Sequence, residues 1–220
     1  MDIAAFPGEL PVFPLTGALL LPGGQLPLNI FEPRYLAMTD AALSAGRWLG
    51  MVQPLKARDQ TVADDHPLFG TGCLGRITTF SETADGRYLI TLTGACRFRI
   101  ARELELADGF RRVAADYAPY TDDLETETLA PEQRAALDTA LKHYFKENRY
   151  EADWQALEQT ADHVLVASMA MACPFTPAEK QALLEAPDLA ERARSLVAIL
   201  EMAAMDTGSD GSETGGPSSH

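Results

Sequence analysis

Residues 9–16, Glu-Leu-Pro-Val-Phe-Pro-Leu-Thr, and residues 26–35, Leu-Pro-Leu-Asn-Ile-Phe-Glu-Pro-Arg-Tyr, decide how this chain begins. Both are apolar enough to be buried, yet Pro11, Pro14, Pro22, Pro27 and Pro33 break them up. Proline removes a backbone donor and restricts φ of its own residue and the conformation of the one before it. A continuous helix is therefore excluded, and short extended pieces joined at bends are expected over Leu10–Leu15, Leu19–Leu21 and Leu26–Phe31. A small, bent barrel begins in this way.

Outward from that start, residues 8–120 read mainly as β. Pro33 suits the first turn of a helix over Arg34–Ala45, closed by Gly46. Trp48–Gln53 reads as a strand and the polar stretch Lys56–Leu68 as a loop. Gly72–Phe80, Arg87–Cys96, Arg97–Leu106 and Arg111–Tyr117 alternate or are β-branched and aromatic. Asp85-Gly86 and Asp108-Gly109 lie between them, and Asp-Gly supplies the positive φ of tight hairpins, so an antiparallel meander is expected. Gly94, inside a strand pattern, suggests a bulge or barrel corner.

From Thr121 the character changes. Thr121–Glu127 reads as a solvated acidic linker, and the chain beyond Pro131 as helical. Apolar residues recur at helical spacing over Leu137–Phe145, over Trp154–Ser168 as one helix, and over Leu189–Leu200 after Pro187-Asp188. Thr176-Pro-Ala-Glu179 is a capping box. From Asp206 glycine, serine and aspartate dominate, which predicts a disordered tail over 206–220.

Composition narrows the function classes. Among 220 residues the net charge is −14. Residues 1–120 carry 11 basic and 13 acidic side chains, and residues 121–205 carry 7 and 16. A nucleic-acid binder needs a basic face to displace counterions from phosphates, and none exists on the scale of a domain. Arg97, Arg99, Arg102, Arg111 and Arg112 lie among acidic residues and read as charges on exposed strand faces. No apolar stretch reaches the about 18 residues of a membrane span. Cys73, Cys96 and Cys173 are odd in number and form no C-x-x-C pair, which argues against a disulfide framework or zinc site and for a reducing cytoplasm.

Motifs for catalysis fail on context. Gly70-Thr-Gly72-Cys-Leu-Gly75 matches G-x-G-x-x-G, but a β-branched and aromatic run follows where a dinucleotide site needs a helix. There is no P-loop, H-E-x-x-H or G-x-S-x-G pattern. His163 and Cys173 stand ten residues apart, about 15 Å along a helix, too far to pair as base and nucleophile unless the chain turns back at Pro174. The acidic cluster of the linker lacks the spacing of a calcium loop. No catalytic residue, cofactor or metal is expected.

In order and spacing, Leu10–Leu15, Leu20-Leu-Pro22, Leu26-Pro-Leu28 and Ile30-Phe-Glu-Pro-Arg-Tyr35 resemble the start of the Lon protease N-terminal (substrate-binding) domain family. Gly72-x-x-Gly75-x-Ile77, Leu92-x-Gly94-x-x-Arg97-Phe98-x-Ile100 and Lys180-x-x-Leu183-Leu184 extend the resemblance over roughly residues 8–203. The resemblance implies an α+β fold, an N-terminal PUA-like β-barrel over 8–120 followed by a C-terminal α-helical bundle over 121–205. In full-length Lon proteases this region helps recognise unfolded or tagged polypeptides and helps assemble the hexamer, ahead of ATPase and Ser-Lys peptidase modules. The chain looks like the short, stand-alone bacterial members.

The expected function is thus a non-enzymatic polypeptide-recognition module, serving as adaptor, holdase or regulator of a separate protease in the cytoplasm. Its expected partners are exposed polypeptide segments and a separate protease, with a weak homo-oligomer and without nucleic acid or membrane. The alternatives are a PUA-like RNA binder and a hydrolase using Cys173 or a serine near His163. Candidate peptide-binding residues are Phe31, Glu32, Arg34 and Tyr35. They form the corner from the last extended piece into the first helix, where Phe31 and Tyr35 can wall a groove. Glu32 is placed either to pair with Arg34 or to cap the helix amides.

Overall fold

The Asp-Gly pairs turn the chain where their conformational freedom allows. Asp108 (φ 48°) and Gly109 (φ 82°) both have positive φ, the requirement of a type I′ hairpin turn, and Gly86 has φ 79° in the other hairpin. In the computed structural model, which describes residues 3–55 and 66–209 with the side chains of 206–209 excepted, these turns join the strands of an α+β fold.

The strands are β1 (Glu9–Pro14), β2 (Gln25–Ile30), β3 (Trp48–Val52), β4 (Thr71–Glu82), β5 (Tyr88–Ala107) and β6 (Phe110–Asp116). Helix α1 (Pro33–Ser44) lies between β2 and β3, and α2 (Pro131–Glu147), α3 (Trp154–Gln159), α4 (Asp162–Ala172), α5 (Pro177–Glu185) and α6 (Leu189–Ser209) follow the strands. Sheet order is β2-β5-β4-β3-β1-β6, and β5 also pairs with β6, so β5, β4, β3, β1 and β6 close a ring. β1 and β3 run parallel and the other pairings are antiparallel. Strand β2 stands outside the ring, paired with β5 alone among the described residues.

The chain divides into two compact units. The first comprises Met1–Thr126 and Ala167–Glu185, so α5 belongs with the strands. Leu10, Val12, Val52, Leu74, Phe98 and Val113 are buried together at its centre. Glycines permit the close approach of neighbouring backbone in this unit. A Cβ on Gly72 would stand 2.7 Å from Met51 O, and one on Gly94 would collide with Leu21 O. The G-x-G-x-x-G match thus runs into a strand, with Gly70 just before β4 and Gly72 and Gly75 within it. The second unit comprises Glu127–Val166 and the chain from Ala186 onward, in which α2 packs on α6. Leu137 and Leu141 of α2, and Leu196 and Leu200 of α6, are buried in it.

Several expectations are corrected. Leu19–Leu21 is not a strand, although all three residues are buried. The two strands expected over Arg87–Cys96 and Arg97–Leu106 are one, β5, which changes register against β4 at Leu74/Gly75. Arg97 does not break it because its guanidinium is buried against Asp123, at 2.8 Å, with side-chain exposures of 3% and 5%. Asp123 is therefore no part of a solvated linker. Arg111 is buried too, bonded to Glu103 and to His66 O. The helix expected over Trp154–Ser168 is broken between α3 and α4, where Thr160 is extended (ψ 133°). Arg134 holds that break, donating to Leu157 O (2.8 Å), Thr160 O (3.0 Å) and Asp162 Oδ1 (2.7 Å). Helix α6 continues through Ser209, past the expected start of the tail, and residues 210–220 lie outside the described residues, as do residues 56–65 of the expected loop.

Candidate functional site

The corner from β2 into α1 is built by Pro33 at the first helical position after Glu32 in extended conformation (ψ 135°). Glu32 makes no side-chain cap. It accepts from Arg34 Nε at 3.0 Å, so of the two roles open to it in the sequence it takes the pairing. Arg34 also lies 4.6 Å over the Tyr35 ring. Tyr35 is buried against Phe13, with ring centroids 4.4 Å apart. Phe31 projects outward, 63% exposed.

These four residues border a groove of about 420 Å³, lined also by Phe13–Thr16 and Pro27–Ile30. The volume lies within the range of ligand-binding pockets. The corner was legible as a candidate, but the contribution of Phe13–Thr16 and Pro27–Ile30 was not. Those stretches read as extended pieces and bends, and no local signal marks them, because their approach depends on the course of the sheet between them.

The wall after β1 is held from behind. Gly17 adopts positive φ (72°). Its N–H donates to Gln53 Oε1 at 3.1 Å, and its carbonyl accepts from Lys180 Nζ of α5 at 3.0 Å. Gln53 Nε2 in turn donates to Pro177 O and to Gln181 Oε1, each at 3.1 Å. Lys180 is buried among carbonyls, and burial pulls its ammonium below the ordinary lysine range. The Lys180-x-x-Leu-Leu motif therefore has a task here: its lysine ties α5 to the wall of the groove, and its two leucines are buried. Beside Gly17, Thr16 Oγ1 is sealed from solvent and has no hydrogen-bond partner among the described residues.

The residues considered for nucleophilic chemistry are placed elsewhere. Cys73, Cys96 and Cys173 are buried and form no disulfide, and burial pushes the Cys96 thiol up to about 12. His163 lies in the first turn of α4 and Cys173 just beyond its last. Among the described residues no three His, Cys, Asp or Glu side chains group so as to hold a metal ion, and no helix is long and apolar enough to cross a membrane.

The same fold, a ring of strands followed by helices, is found among known proteins. Residues 9–202 match the family described as the ATP-dependent protease La (LON) substrate-binding domain. Lon protease 1 of Thermus thermophilus is 27% identical over 199 residues, which is 87% of this chain and 24% of that protein. The Lon protease of Syntrophus aciditrophicus is 25% identical over 206 residues, 90% of this chain and 25% of its own length. Among solved structures, a Lon N-terminal domain protein from Xanthomonas campestris aligns with a TM-score of 0.63 at 25% identity, over 86% of this chain and 97% of that one. The N-terminal domain of the Mycobacterium avium complex Lon protease shares the fold at the same TM-score and 20% identity.

The chain belongs to the Lon substrate-binding domain family. It spans about a quarter of the length of the curated relatives it matches, and its family match is to the substrate-binding domain.

Proposed function

We propose that the protein binds exposed apolar segments of unfolded or partly unfolded polypeptides in the groove at the β2–α1 corner, with Phe31, Glu32, Arg34 and Tyr35 among its contacts. In this reading it performs no chemistry itself and acts as an adaptor, holdase or regulator of a separate protease. The observation that carries the reading is Phe31. A phenylalanine 63% exposed at the rim of an apolar groove is the kind of surface that soluble proteins keep for partners. Membership of a family described as substrate-binding supports the choice of a polypeptide.

The test is binding to the unfolded and the native form of one protein, for example a reduced, carboxymethylated chain and its disulfide-intact parent. The unfolded form alone is expected to bind. Phe31→Ser is expected to weaken that binding about tenfold or more, since a buried Phe contributes about 1.5–3 kcal/mol. Failure to bind either form would overturn the reading.

A further inference from the structure

The lining of the groove says how a polypeptide would lie in it. Side chains of a strand alternate between its two faces, so a pocket on one face touches every second residue. Here four consecutive residues of β2, Pro27–Ile30, line the groove. It therefore runs along the edge of β2 and not over a face. One edge of β2 is taken by β5, and no strand among the described residues pairs with the other.

The hydrogen-bonding groups on that free edge follow from the register. Gly94 N donates to Gly24 O at 2.9 Å, so the Gly24 carbonyl points to β5. By alternation Leu26, Leu28 and Ile30 also turn their backbone groups to β5, while Gln25, Pro27 and Asn29 turn theirs outward. Pro27 gives an independent check, because a proline in a strand belongs where its missing donor leaves no ladder bond unmade. Gln25, Pro27 and Asn29 are all exposed. The free edge thus offers three carbonyls and two N–H groups, with an acceptor alone at its centre.

We propose that the groove takes its polypeptide as an added β-strand, hydrogen-bonded along the free edge of β2, with the segment's own N–H groups donating to Gln25 O, Pro27 O and Asn29 O. The proposal rests on the groove reading given above and adds the conformation of the ligand. Affinity then comes largely from the main chain, and the side chains need only be apolar on the side facing Tyr35 and Phe13. That combination suits a surface that accepts many sequences. Pro27 also limits pairing of the edge with itself, because two copies facing each other would each lack the central donor.

The test leaves the protein unaltered and changes the ligand. The probe is an acetylated, amidated peptide, Lys-Phe-Thr-Val-Thr-Leu-Thr-Phe-Lys, with its backbone amides N-methylated one at a time and its affinity measured by calorimetry. Methylation at one alternating set of amides is expected to weaken binding about tenfold, and at the intervening set to leave it unchanged. If the parent peptide binds and Phe31→Ser weakens it but the methylation pattern is flat, the groove reading stands and strand addition is overturned. If the parent peptide does not bind, both fall. Sedimentation of the protein alone separates the competing occupant: a dimer abolished by Asn29→Pro would assign the edge to a second copy of the chain and overturn the proposal.

Discussion

The strand unit and the helical unit are both tied by an arginine, but in different ways. In the strand unit Arg97 and Asp123 are almost wholly buried, and the guanidinium also donates to Leu184 O at 3.2 Å and lies 4.7 Å over the Tyr120 ring. In the helical unit Arg134 is partly exposed and spends most of its donors on carbonyls at the α3–α4 break. A buried pair must be complete, since removing one partner strands a charge in a low-dielectric interior. A partly exposed knot can replace a lost partner with water more readily. The difference teaches that the strand unit tolerates loss of a charge far less than the helical one, although the helical unit has the larger charge imbalance in sequence.

Two tryptophans let the comparison be broken directly. Trp48 packs on Phe6 in the strand unit and Trp154 on Phe145 in the helical unit, so Trp154→Phe and Trp48→Phe backgrounds give each unit its own fluorescence in a urea titration. The largest effect is expected from Asp123→Ala, which leaves Arg97 buried without its carboxylate and costs about 3–5 kcal/mol in the Trp48 transition. Next is Leu137→Ala, a fully buried α2 leucine, which costs about 2–4 kcal/mol in the Trp154 transition. If both probes moved equally for either variant, the contrast between the units would be lost.

The smallest expected effect sharpens the contrast. Asp162→Asn keeps the shape and removes one of the two carboxylates paired with Arg134, the other being Asp138, at about 1–2 kcal/mol near neutral pH. Burial acts against the Asp162 carboxylate, but its bonds from Arg134 and Leu129 N outweigh it and hold its pKa below the ordinary 3.8. Below that value the unfolded chain binds more protons than the folded one, so this contribution is present above pH 3.8 and is lost as pH falls through the folded value. The gap between wild type and Asp162→Asn should therefore close on acidification, and a gap constant down to pH 2 would refute the ion pair as its source.

Much of the fold was legible in local chemistry. The Asp-Gly turns, Pro33 at a helix start and the Thr176/Glu179 capping box need only residues a few positions apart, and the box is present, with Thr176 N donating to Glu179 Oε2 at 2.7 Å. What escaped depends on partners far along the chain. Arg97 reads as an exposed charge at the start of a new strand, because its buried partner Asp123 stands 26 residues later. Trp154–Ser168 reads as one helix because its apolar period runs on through Thr160, while the break is held by Arg134, 26 residues earlier. The groove divides in the same way. Phe31, Glu32, Arg34 and Tyr35 are contiguous and visible as a corner, whereas the opposing wall comes from β1 and is held by Lys180, 163 residues from its acceptor Gly17.

That last span has a consequence for synthesis. A ribosome delivers β1 through β6, then the forty residues of Glu127–Val166 that belong to the other unit, before Ala167–Glu185 can emerge. At about 5–20 residues per second, α5 arrives some 3–12 s after the strands it completes. Over that interval Gln53 lacks its acceptors on α5, Gly17 lacks Lys180, and β4 lacks the helix that packs on it. A protein whose proposed ligands are partly unfolded chains is, during its own birth, one of them.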